Sequence, residues 1–215
     1  SPNLARFVRH PSRKLFGARV KLPPEEGEGY WDLTQIGDDV YVMTENFVYK
    51  DPRIELVPGD GLVQLYFKLT GDLTMSVSRA EALRLNRPSL TIYRQPKGVD
   101  IDEWVEPSAH ERCVAVTVTP EFLVRNFFGT STEGFRQLRD FLSCTTGEFQ
   151  YLQVPLSSEM FQLAEKLVKN PHTGVLGLVY TESVAIELLC TAIAGFDSLN
   201  GMAVEHYSRN ELKCL

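Results

Sequence analysis

Between residues 31 and 119 the apolar positions fall in short runs, at 40–44, 62–69, 73–77, 90–93 and 113–118, each broken by turn residues. Runs of this length, rich in Val, Thr, Tyr and Phe and bounded by Gly and Asp, are strand signals. Within 62–69, Val63, Leu65, Phe67 and Leu69 alternate with Gln64, Tyr66 and Lys68, the period of a strand with one buried face and one wetter face. Gly71 and Asp72 separate this run from 73–77 closely enough to predict a hairpin. An antiparallel barrel or sandwich follows.

After Thr119 and Pro120 the period turns helical. Pro120 suits a first helical turn, and Phe122, Leu123, Phe127 and Phe128 recur at helical spacing. Further helices are predicted over 133–142, 157–169 and 175–196. In the 157–169 segment Ser157 is the cap, and Met160, Leu163, Ala164, Leu167 and Val168 form one stripe. The 175–196 segment is apolar on several sides and reads either as a core helix or as one shared between core and dimer interface. Ser208 with Glu211 matches a capping box, so another helix is expected to start there, as in a chain that continues. Ahead of the strands, Arg6, Arg9, Arg13, Lys14, Arg19 and Lys21 precede a Pro- and Glu-rich stretch at 23–29, which reads as a basic arm and a loop. The expected organisation is an α+β fold: an arm over 1–30, a β domain over 31–119, a helical subdomain over 120–200 and a linker over 201–215.

A net charge of −6 over 215 residues argues against broad contact with a phosphate backbone. If the protein acts on DNA, these residues are not the main contact. Cys113, Cys144, Cys190 and Cys214 are scattered, and His10, His110, His172 and His206 do not cluster with them, so neither a zinc site nor a disulfide framework is expected. Cys113 and Cys190 lie in apolar runs and read as buried thiols, which fits a reducing, cytoplasmic compartment. No stretch reads as a membrane span. Nucleophile elbows, phosphate loops and metal-protease pairs are missing, and His110 and Glu111, adjacent on a strand, would point to opposite faces. No enzyme and no cofactor is expected.

The segment 61–71, then Gln95, Pro96, Lys97 and Gly98 with Trp104, then 114–123 with Gly129, and the apolar helix holding Glu182, Ala185, Glu187, Leu188 and Leu189 together resemble the N-terminal sensor domain of AraC/XylS-family transcription regulators. That resemblance implies a cupin-like β-barrel or sandwich followed by helices, binding a small effector and forming a homodimer. Promoter DNA would be gripped by a C-terminal pair of helix-turn-helix motifs outside this chain.

Arg9 and Arg13 form an R-x-x-x-R spacing, and Asp32, Thr34 and Gly37 follow in a D-x-T-x-x-G spacing. Together they resemble the bipartite motif of PilZ domains, which implies cyclic di-GMP as the effector. Thr34 stands where that motif usually has Ser, and keeps a hydroxyl. Guanidinium groups suit guanine acceptors and phosphates, Asp32 could accept from a guanine edge, and Gly37 permits close backbone approach. Two alternatives stay open: another small molecule inside the barrel, touched by Tyr66 or Tyr93, and a cupin-like metal enzyme. Arg139 is expected on an exposed helix surface.

Overall fold

A computed structural model describes residues 6–78, 81–128, 138, 139, 141, 149–198, 205 and 206. Its larger sheet is built from β1 (Arg6–Arg9), β2 (Leu15–Lys21), β3 (Gly27–Ile36), β4 (Val40–Tyr49), β6 (Val63–Thr70), β9 (Ser89–Arg94), β11 (His110–Val118), β12 (Gln150–Pro155) and β13 (Glu205–His206). These strands run in the order β1-β2-β3-β4-β11-β6-β9-β12-β13, all neighbours antiparallel. A second sheet is built from β5 (Arg53–Val57), β7 (Leu73–Ser78), β8 (Glu81–Leu85) and β10 (Ile101–Val105), in the order β5-β10-β7-β8. Thus the segment expected as a basic arm supplies two paired strands. Leu15, Gly17 and Arg19 alternate with Phe16, Ala18 and Val20, which is strand period despite the basic composition.

Alternation along each strand sorts side chains onto the two faces of the larger sheet. Val63, Leu65, Phe67, Leu69, Leu90, Ile92, Val114, Val116 and Val118 pack against the helices. These are α1 (Pro120–Leu123), continued by a π-helical turn (Val124–Phe128), α2 (Ser158–Val168) and α3 (Gly174–Ser198). The cap expected at Ser157 is made, the Met160 N–H donating to Ser157 Oγ at 3.1 Å, and the structure adds a second at Thr119, whose Oγ1 accepts from the Phe122 N–H at 3.2 Å. Of the helix expected over 133–142 only residues 138, 139 and 141 are described. The capping box at Ser208 and Glu211, and Gly129, Cys144 and Cys214, lie outside the described residues.

The opposite face is not wet. Tyr66, Tyr93, Cys113 and Ala115 lie under the second sheet with Phe47, Tyr49, Met75, Leu85 and Ile101, and Lys68 is 0% exposed. Lys68 tolerates that place because its ammonium donates to Glu111, itself 2% exposed. Nor is there a β6–β7 hairpin: β7 pairs with β10 and β8, in the other sheet. The Glu111 carboxylate sits where a Gly71 side chain would be and accepts from the Asp72 N–H at 2.5 Å, so the turn carries the chain across the sandwich.

Three smaller expectations are also overturned. Cys190 is exposed, because the apolar helix buries only part of its circumference. Arg139 is half-buried with its guanidinium 5.9 Å from the Phe128 ring, so it is not a surface position. Contrary to the sequence reading, Gly174–Phe196 does reach the length and hydropathy of a membrane span; here half of it is buried within the fold.

Candidate functional site

Helix α3 lies along β1, β2 and β3, and it comes close to β2 at Gly17, where Leu178 fills the space a side chain would take. Below that contact a cleft of ≈ 140 Å³ opens between the strands and the start of α3. Registers explain its lining. Arg6 stands opposite Arg19 and Arg19 opposite Asp32, while Val8, Gly17 and Thr34 form the next row on the same face. From the helical side come Asn170, His172, Thr173 and Gly174.

Within the cleft Arg19 donates to both carboxylate oxygens of Asp32, at 2.6 and 2.5 Å, and its guanidinium lies 4.1 Å from the Tyr30 ring centroid. The Asp32 hydrogen bond holds the Arg19 pKa above its ordinary value, outweighing partial burial. Thr34 is 7% exposed, lines the cleft and, among the described residues, has no hydrogen bond to its hydroxyl. Asn170 ties the loop down: its amide donates to the Gly177 carbonyl at 3.0 Å and to Thr181 Oγ1 at 3.1 Å, and its carbonyl accepts from the His172 N–H.

Further along α3 a second cleft, ≈ 280 Å³, is lined by Arg13, Lys14, Gly37, Asp38 and Glu182. Arg13 donates to Glu182 at 2.6 Å and Lys14 to Asp38 at 2.5 Å. Gly37, at φ +64, donates its N–H to the Lys14 carbonyl at 2.7 Å, in a conformation that favours glycine.

The five residues singled out from the sequence are therefore placed in three groups. Asp32 and Thr34 share the first cleft, and Arg13 and Gly37 share the second. Arg9, one residue on from Val8 and opposite Phe16, points to the other face of the sheet. Sequence reasoning missed Arg6, Arg19, His172 and Thr173. Strand parity joins Arg19 to Asp32 once residues 15–21 are read as a strand.

The family of regulatory protein PchR N-terminal domains matches residues 27–205. The chain belongs to this family. A PchR-type domain is the N-terminal regulatory part of an AraC-family regulator, so this chain is a sensor domain of that kind. Among solved structures, partial likeness extends to the Schizosaccharomyces pombe Cnp3 cupin domain, at 11% identity over 61% of this chain and 98% of that one, with a TM-score of 0.35. It extends also to Streptomyces PAC13 with uridine, at 17% identity over 46% and 80%, with a TM-score of 0.31. No curated protein matches the sequence. Its strand order and the helices packed on one face make the PchR-type domain an α+β antiparallel sandwich.

Facing each other inside the sandwich are the carboxylates of Glu45, Glu55 and Glu103 and the phenols of Tyr66 and Tyr93. Tyr49 donates to Glu55 at 2.6 Å, whereas the Tyr66 and Tyr93 hydroxyls are buried without a hydrogen-bond partner among the described residues. Burial, reinforced for Glu103 by the neighbouring carboxylates, pushes Glu45 up to about 7 and Glu103 up to about 8. Among the described residues no group of three His, Cys, Asp or Glu is arranged to hold a metal ion.

Proposed function

We propose that this PchR-type domain senses cyclic di-GMP at the β1–β3 edge beside α3 and passes that signal to DNA-reading domains elsewhere in the regulator. The observation that carries this reading is Thr34: a nearly buried hydroxyl, unpaired among the described residues, opening into a cleft that also holds Asp32 and two arginines. An effector with two bases and two phosphates has a group for each cleft, since Thr34 and Gly37 are separated by roughly 10 Å of strand. Arg13 would leave Glu182 for a phosphate, and Arg9 would join only if the turn at 10–14 rolls over the sheet edge. The role is one of binding, not catalysis, in a homodimer.

Titration calorimetry with cyclic di-GMP tests this. Thr34→Val keeps shape and removes no protein hydrogen bond, so we expect unchanged melting and about tenfold weaker binding. Arg13→Ala and Arg9→Ala should weaken it too, and Arg87→Ala, at an exposed position, should not. Absence of heat with the unmodified protein, or full affinity in Thr34→Val, refutes the effector assignment.

A second reading places the effector inside the sandwich, favoured by the unpartnered Tyr66 and Tyr93 hydroxyls. Under it the arginine and Thr34 variants are silent, and Tyr93→Phe abolishes the response.

For the homodimer the stripe Leu176, Val179, Ser183, Ile186 and Cys190 on α3 is the candidate seam: it has alternating three- and four-residue spacing, and all but half-buried Val179 are exposed. Ser183→Arg should convert a dimer to a monomer in sedimentation at about ten times the wild-type dissociation concentration while leaving the circular dichroism unchanged. A dimer that persists in this variant moves the seam elsewhere.

A further inference from the structure

We infer that the N-terminus of α3, together with Arg6 and Arg19, forms the pole of the first cleft that grips a phosphate group. This rests on the effector being phosphate-bearing, as proposed above, and adds residues that the bipartite motif does not contain.

Helix α3 is 25 residues long and has no acidic side chain in its first turn. Its first backbone bond joins the Gly177 N–H to the Thr173 carbonyl, and among the described residues no side chain accepts from the N–H groups of Gly174, Val175 or Leu176. Three donors and the positive end of the helix dipole are therefore left without a protein acceptor at the end of α3 where Thr173 and Gly174 line the cleft. Across it stand Arg6 and Arg19 in one cross-strand row.

A helix end alone would say little. The independent mark of a ligand is Thr34, 7% exposed, whose unpaired hydroxyl opens into the same space. One negative group lines the cleft, Asp32, and Arg19 already neutralises it, which leaves Arg6 and the helix end unbalanced. Stacking over Tyr30 holds the Arg19 guanidinium in place even when Asp32 turns to another donor, such as a base edge. His172 supplies a further ring nitrogen at the rim.

The decisive variant is Thr173→Asp. Thr173 is the residue just before α3, so an aspartate there caps the free N–H groups and puts a negative charge at the pole. Melting temperature should stay level or rise, while cyclic di-GMP binding weakens about fivefold. Arg6→Ala, at an exposed position, should weaken binding about as much, fivefold, without changing melting. If Thr34→Val and Arg13→Ala impair binding but Thr173→Asp and Arg6→Ala remain within about twofold of wild type, the pole is wrong and the effector reading stands. If the unmodified protein ignores cyclic di-GMP, the effector reading fails and inorganic pyrophosphate becomes the probe. Pyrophosphate binding that Thr173→Asp abolishes then supports the pole, and no pyrophosphate binding by wild type overturns it.

Discussion

Lys68→Met should lower the free energy of unfolding by about 3–5 kcal/mol, the cost of leaving a buried carboxylate without its partner. The ammonium is wholly buried and donates to Glu111, which is nearly so. Glu111 has one other donor among the described residues, the Asp72 N–H, and that bond fixes the crossing between sheets. Removing Lys68 thus strands a charge at the point where the chain changes layers. Adding Glu111→Gln to Lys68→Met removes the charge and keeps an acceptor for Asp72, so the double variant should regain at least half of the lost stability. Urea unfolding of the four proteins measures this; a single-variant loss below about 1 kcal/mol would mean that water reaches Glu111 and the pair is not sealed.

Glu45→Gln should have the opposite sign, and only at high pH. Burial raises the folded-state pKa of Glu45 to about 7, against an unperturbed 4.5, so the native state holds a proton that the unfolded chain releases. Between those two values the native state binds more protons, and stability falls as pH rises. Above pH 7 the full penalty applies. Glutamine carries none, so at pH 8 the variant should melt about 3–8 °C higher, corresponding to about 1–3 kcal/mol, and the gap should close towards pH 4.5. Glu103, pushed up to about 8, acts in the same sense, and Glu45→Gln removes one of the charges that raise it. Melting curves at pH 4.5, 6 and 8 decide; a gap that does not change with pH would show that Glu45 is ionised throughout.

The features legible in the sequence are those that depend on near neighbours. Ser157 caps the helix it was expected to cap, Pro120 stands in the first turn of α1, and the apolar half of β6 faces the helical core. Period two alone also places Asp32 and Thr34 on one face. What could not be read depends on distant partners. Lys68 has the look of a solvent-facing strand residue because nothing near it signals that Glu111, 43 positions away, will cover its charge. Gly71-Asp72 has hairpin chemistry, and only the same glutamate turns it into a crossing. Arg9 and Arg13 look equivalent in a spacing motif, yet one sits on a strand and the other in a turn, so the sheet sends them to different sides.

Arg13 and Glu182 are 169 positions apart, and the strand pairs β4–β11 and β11–β6 also join remote stretches of chain. Contacts so far apart in sequence make for slow folding, because loop entropy is lost before the contact is gained. On the ribosome β1 and β2 are made about 150 residues before the helix that is their docking surface. The proposed sensing edge therefore takes shape only once that helix exists, and a chain halted before residue 174 would carry most of its β-sandwich but none of the helix end on which the edge is completed.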